Sequence, residues 1–162
     1  MNIIIEGADN AGKSTLAQKL SVDLKYMLLH RKHEESAFLV GMEIATDLDP
    51  AGGYVIDRTP VVSGVIYDEC CGKKLAVKLA PATIREEFTR NLFIFCCPPL
   101  DTVLGKKKKE MKGVRENHKK IYESYEKYFA EKKELYGSNI IVFNYEQDNY
   151  DELLNKVKGH LA

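Results

Sequence analysis

Lys13 and Ser14 close the run Gly7-Ala8-Asp9-Asn10-Ala11-Gly12-Lys13-Ser14, whose fixed positions fit the phosphate-binding pattern G-x-x-x-x-G-K-[ST]. Gly7 and Gly12 let the backbone curl, so that successive N–H groups across Ala8, Asn10 and Ala11 converge on one anion. Lys13 adds a point charge, the Ser14 hydroxyl can ligate magnesium, and Thr15 continues into a helix whose positive end faces the same anion. The run lies where this chemistry needs it, between the apolar stretch Asn2 to Glu6 and a helical pattern that starts near Lys13. Its spacing predicts binding of a nucleoside triphosphate with Mg2+.

A second group could serve the same metal. Tyr54-Val55-Ile56-Asp57 is an apolar strand ending in a carboxylate, which lets an acid reach a metal held by the loop hydroxyl. Arg58 follows at once. Taken alone, Asp57-Arg58 also fits a local ion pair that closes a turn.

The elements that must position these residues are legible in the apolar pattern. Strand-like runs appear at Asn2 to Glu6, Gly53 to Asp57, Asn91 to Cys97 and Asn139 to Tyr145, with a weaker one at Tyr26 to His30. Leu16, Leu20 and Leu24 mark a helix after the loop, and Val61, Val62, Val65 and Ile66 mark another. A helix begins after Pro98-Pro99. Val114, His118, Ile121, Tyr122, Tyr125 and Phe129 stripe a long one, and Tyr150, Leu153, Leu154, Val157 and Leu161 the last. Continuous apolar strands alternating with amphipathic helices predict an α/β fold, a parallel sheet covered on both faces. Ligands on such a sheet bind beyond the carboxyl ends of the strands. That rule selects the turn after Glu6, His30-Arg31-Lys32-His33, Asp57-Arg58, Pro98-Pro99 and Asn144 to Gln147, the last as a frame for the donor adenine.

Length and composition bound the rest. The 162 residues make about one domain, with no internal repeat, and Lys plus Arg equal Asp plus Glu at 24 each, which argues against a globally basic nucleic-acid binder. No run is long enough to span a bilayer, so the expectation is a soluble cytoplasmic protein without a membrane partner. Cys70-Cys71 and Cys96-Cys97 do not have the spacing of a disulfide framework or a zinc site. His30 and His33 are too few for a metal site. Tyr122, Tyr125, Tyr128 and Phe129 fall at helical spacing and read as core rather than as a base-stacking platform.

Glu6 to Thr15, together with Asp57-Arg58 and Ser63-Gly64-Val65-Ile66-Tyr67, resembles the thymidylate kinase family of nucleoside monophosphate kinases in a shortened, phage-like form. The resemblance implies a P-loop NTPase fold with a five-stranded parallel sheet and a mobile lid, one kinase domain over residues 1–162 with the lid at about 104–116. It implies Mg2+-dependent transfer of the ATP γ-phosphate to a deoxynucleoside monophosphate, in the host cytoplasm if the gene is a phage's. By position, Asp9 is the acid near the acceptor, Lys13 holds the donor phosphates, Ser14 the magnesium, Asp57 the metal or proton, and Arg58 joins acceptor to donor. Ser63 and Tyr67 line the acceptor pocket, with Arg31 and Phe38 as further candidates; Phe38 and Met42 equally fit a core stripe. A homodimer is a further implication.

The departures from that family are informative. Asn10 stands where some members carry an arginine, the Asp57 to Ser63 spacing is one residue longer, and His30 to His33 replaces an Arg-Glu-Pro-Gly run. A loop without its own arginine needs a cation from elsewhere. From Gly105 to Lys120 there are eight basic residues, Lys106, Lys107, Lys108, Lys109, Lys112, Arg115, Lys119 and Lys120, against Glu110 and Glu116. Most read as a solvated basic face. Arg115 is the single arginine there, and its planar fork suits bridging phosphates, with Lys109 and Lys112 as substitutes.

Two other functions fit the same residues. One is a P-loop kinase acting on a hydroxyl of a nucleoside or of a modified base in DNA, with basic side chains tracking the DNA backbone. The other is a regulatory module that binds nucleotide without transfer.

Overall fold

A computed structural model describes residues 1–30, 53–72, 80–106 and 113–162. Arg31, Lys32, His33, Phe38, Met42, Lys107, Lys108, Lys109 and Lys112, all named above, lie outside the described residues.

The first strand, β1 (Asn2–Glu6), leads into helix α1 (Lys13–Leu24), strand β2 (Met27–His30) and strand β3 (Tyr54–Asp57). A π-helical turn, Pro60–Gly64, runs into α2 (Val65–Cys71). Then come α3 (Pro81–Arg90), β4 (Asn91–Cys96), α4 (Leu100–Gly105), the long α5 (Val114–Tyr136), β5 (Ile140–Phe143) and α6 (Tyr150–Leu161). All five strands are parallel, in the order β2-β3-β1-β4-β5. Every residue of β3 and β4 is buried, and because successive side chains point to opposite faces, both faces of the sheet centre are covered. The expected five-stranded parallel sheet is therefore present.

β2 is an edge strand whose outer residues are exposed, which is why its apolar signal was the weakest of the five. Helix α3 carries one buried residue, Phe88, stacked on Phe93 of β4 at 4.1 Å, so its sequence offered little periodicity to read. The core continues under α5, where Phe129 stacks on Phe95 at 4.6 Å.

The chain runs from β1 through α1 toward β2 and β3 on one side, then crosses to β4 on the other. The strand order thus reverses beside β1, and in open sheets of this kind the crevice at the carboxyl ends next to that reversal is the ligand site. Both Gly7 to Ser14 and Asp57-Arg58 open at that end. No described helix is long and apolar enough to cross a membrane.

Candidate functional site

The loop leaves β1 through Gly7, whose φ of 146° and close approach to β4 exclude a side chain: a Cβ there would lie 2.5 Å from the Cys96 carbonyl oxygen. Gly12, at φ 84°, precedes the first turn of α1 and lies under the Tyr145 ring. Between them Asn10 is left-handed at φ 66°, a conformation that asparagine tolerates better than most residues. Ala8 and Ala11 are buried, while Ser14 and Thr15 face outward at the start of α1. Lys13 is buried, and its Nζ donates to the Ala8 carbonyl at 2.5 Å, so its charge sits inside the curl of the loop. Burial, with the nearby Arg58, brings the Lys13 pKa down to about 8, although Asp9, Asp57 and Cys96 favour the charged form.

Asp57 ends β3 level with Ile5 of β1 and His30 of β2. Its Oδ2 accepts from the Ser14 hydroxyl at 2.6 Å and lies 3.0 Å from His30 Nδ1. Its Oδ1 is buried and has no partner among the described residues. A buried carboxylate oxygen beside a serine hydroxyl is the donor set that a small hard cation takes, usually keeping several waters and phosphate oxygens as its other ligands. Magnesium fits Ser14 and Asp57 on that chemistry.

Arg58 is left-handed at φ 74°, uncommon for a residue with a side chain, and its N–H donates to the Ile5 carbonyl at 3.0 Å. The guanidinium reaches across to Asp9 through Nη2 and to the Tyr67 hydroxyl through Nη1 at 3.0 Å, while that hydroxyl donates to the other Asp9 oxygen at 2.6 Å. Asp9, Arg58 and Tyr67 thus close a ring of charge-assisted bonds over the loop. Burial works against the Arg58 charge, but Tyr67, Tyr125, Asp9 and Glu6 outweigh it and hold its pKa above the usual arginine value. Burial pushes the Tyr67 phenol upward, so it stays a hydrogen-bond donor. Ser63 is buried, and its hydroxyl donates to the Thr59 carbonyl at 2.8 Å rather than to this ring.

The segment between Asp57 and Ser63 runs into the π-helical turn. That turn holds one residue more than an α-helical turn and leads into α2, whose Tyr67 faces Arg58. Thr59 caps that turn, accepting from the Val61 N–H at 3.4 Å.

Three residues at the site carry no motif. Glu6 is fully buried and accepts from the Thr59 N–H at 2.5 Å and from the Tyr125 hydroxyl at 3.0 Å. Burial raises its pKa to about 7, against the pull of the Thr59 N–H, Arg58, Lys13 and Tyr125. His118 on α5 holds the Asp9 carbonyl, Nε2 to O 3.0 Å. Lys106, just past α4, donates to the Asn10 carbonyl at 3.2 Å and the Tyr145 hydroxyl at 2.7 Å, while the Asn10 amide donates back to the Lys106 carbonyl at 3.3 Å. The signals available in the sequence were Glu6 itself, a carboxylate where an apolar strand should end, and His118, a polar residue inside an apolar stripe.

Beside the loop, Gly12, Thr15, Lys19, Lys106, Tyr145 and Asp148 wall a pocket of about 390 Å³, between α1 and the turn after β5. It is continuous with the loop at Gly12 and adjoins Asn144 to Gln147. Arg115 is exposed on the first turn of α5 and makes no ion pair among the described residues. The four cysteines form no disulfide, burial pushes the Cys96 thiol up to about 12, and no metal-binding group of three His, Cys, Asp or Glu occurs among the described residues.

No family model matches this chain, and no curated protein matches its sequence. Solved structures do. The chain is similar to the YorR protein of Bacillus subtilis in complex with phosphorylated GDP, at 20% identity and a TM-score of 0.71, over 99% of this chain and 95% of that one. It is also similar to deoxyadenosine kinase from M. mycoides with products dCMP and a flexible dCDP bound, at 18% identity and a TM-score of 0.60, over 99% of this chain and 98% of that one. The same enzyme with dATP bound matches to the same extent. The chain shares the fold of these structures, a five-stranded parallel sheet with helices. At these identities the likeness extends to the fold.

Proposed function

We propose that this protein is a P-loop kinase that transfers the γ-phosphate of ATP to a deoxynucleoside monophosphate. The observation that carries the reading is the pairing across the loop: Ser14 with Asp57 on one side, and Asp9 with Arg58 and Tyr67 on the other. The loop alone supports triphosphate binding. A buried arginine held ready next to it supplies what a second, phosphorylated substrate needs, a planar fork for two oxygens of its phosphate.

In this reading Lys13 and the loop N–H groups hold the donor phosphates, and the Tyr145 side of the 390 Å³ pocket takes the adenine. Magnesium, held by Ser14 and Asp57, would neutralise charge on the transferring phosphoryl group. Arg58, fixed by Asp9 and Tyr67, aligns the acceptor, and the Arg115 guanidinium meets the charge that develops on transfer. An acceptor phosphate is already anionic, so the chemistry is positioning and electrostatics. The likeness to a deoxyadenosine kinase that has dCMP as a product supports an acceptor of deoxynucleoside size, and so lends weight to the hydroxyl-acceptor reading that follows.

One contact favours a second reading, in which the acceptor is a hydroxyl of a nucleoside or of a modified base in DNA. His30 Nδ1 lies 3.0 Å from Asp57, and a paired histidine and carboxylate can take the proton that a hydroxyl must lose. A coupled assay for ADP release with a panel of nucleosides, nucleoside monophosphates and hydroxymethylated DNA separates the two. Release with monophosphates alone supports the first reading, and release with nucleosides or DNA replaces it by the second. Absence of ADP release with every acceptor in the panel would leave a nucleotide-binding regulatory module as the better description.

A further inference from the structure

Helix α5 meets the site with polar tips rather than with an apolar stripe alone. His118, Tyr122 and Tyr125 follow one another at spacings of four and three, on one face of the helix. Each is buried, and each reaches a different acceptor at the carboxyl end of the sheet: His118 the Asp9 carbonyl at 3.0 Å, Tyr122 the Pro98 carbonyl at 2.8 Å, and Tyr125 the Glu6 carboxylate at 3.0 Å. The two tyrosines brace strand ends. His118 alone of the three touches the phosphate loop.

A carbonyl oxygen can only accept, so Nε2 of His118 carries the proton in this bond. The Asp9–Asn10 peptide is planar and trans, so fixing its C=O toward α5 turns the Asn10 N–H to the opposite side. On either side of this peptide lie the two groups that its orientation controls. One is the Asp9 carboxylate bonded to Arg58 and Tyr67, and the other is Asn10, locked to Lys106 at a φ of 66°. A left-handed residue next to a glycine-rich turn can flip its preceding peptide at low cost unless something holds it. His118 holds it from the α5 side.

We propose that His118 is a positioning residue for the reaction: by donating from Nε2 to the Asp9 carbonyl it sets the orientation of the Asp9–Asn10 peptide and so aims the Asp9 carboxylate at Arg58. The kinetic arm of this proposal rests on the kinase reading, whereas the hydrogen bond itself does not.

Three variants and one measurement on the unaltered protein test it. His118→Gln places an amide Nε2 the same number of bonds from Cα as the imidazole Nε2, whereas the His118→Asn amide is one bond short. With the best acceptor, His118→Ala lowers kcat about 10- to 100-fold while the KM for ATP stays within about threefold, the scale expected when a reacting group is misplaced by about an ångström. His118→Gln recovers most of that loss and His118→Asn does not. Equal loss in the two amides, or an unchanged kcat in His118→Ala, overturns the proposal. Nitrogen-15 NMR of the imidazole in the unaltered protein reads the bond without any activity: a protonated Nε2 in slow exchange supports it, and a bare Nε2 overturns it. Should the unaltered protein transfer phosphate to nothing, the kinase reading falls, and the NMR result decides on His118 by itself.

Discussion

Replacing Glu6 by glutamine isolates one carboxylate whose proton is coupled to folding. Glu6 is fully buried, and burial takes its pKa from an ordinary 4.5 to about 7. In the unfolded chain the carboxyl loses its proton near pH 4.5, whereas in the folded protein it keeps that proton up to about pH 7. Between those values the folded state binds more protons, so stability falls as pH rises. The contribution is fully present below pH 4.5 and lost by the time pH passes about 7. A displacement of this size corresponds to about 3 kcal/mol, at about 1.4 kcal/mol per tenfold in proton affinity.

The side-chain carbonyl of Glu6→Gln can still accept from the Thr59 N–H, and its amide can donate to the Tyr125 oxygen, so the change removes the charge and little else. Urea unfolding at pH 5, 6, 7 and 8 is the assay. The unaltered protein should lose about 3 kcal/mol from this group across the series, a midpoint change of about 1 to 2 M for a small protein. Glu6→Gln should be nearly as stable at pH 5 and clearly more stable at pH 8. If the variant keeps the unaltered protein's dependence on pH, Glu6 is not the group that titrates and the reasoning from its burial fails.

Asp57→Asn should lower turnover at least 100-fold, the scale on which a positioned charge at a phosphoryl-transfer site acts, while ATP still binds; this is checked by steady-state kinetics beside calorimetric ATP titration. Arg115→Ala should lower turnover far more than ATP affinity, whereas Lys106→Ala, which removes a side chain touching Asn10 and Tyr145 in the donor pocket, should mainly weaken ATP binding. Unchanged turnover in Arg115→Ala removes that residue from the mechanism.

What the sequence made legible was local. Gly7 to Ser14 and Asp57-Arg58 each sit within a few residues of a strand end; the spacing of the first is a pattern in itself, whereas the second points to the same site only beside it. The buried strands β1, β3 and β4 announced the sheet because both faces are covered and their apolar runs are unbroken. What escaped depends on contacts between distant residues. Glu6 matters through Thr59 and Tyr125, His118 through Asp9, and Lys106 through Asn10, each far away along the chain. Tyr125 illustrates the difference. Its ring belongs to the core, as its helical spacing says, but its hydroxyl serves the site, which spacing has no means of saying.

Arg58 holds a conformation that costs about 1–2 kcal/mol for a residue with a Cβ. A glycine there would relieve that cost and still offer its N–H to Ile5, yet it would delete the guanidinium that Asp9 and Tyr67 are arranged around. Leaving Asp9 without its cation costs about 3–5 kcal/mol if the pair behaves as a buried one, more than the backbone relief returns, so Arg58→Gly should lower stability rather than raise it. The left-handed backbone at residue 58 is therefore kept in place by the side chain it strains, and thermal screening of this protein should retain Arg58 without any selection for activity.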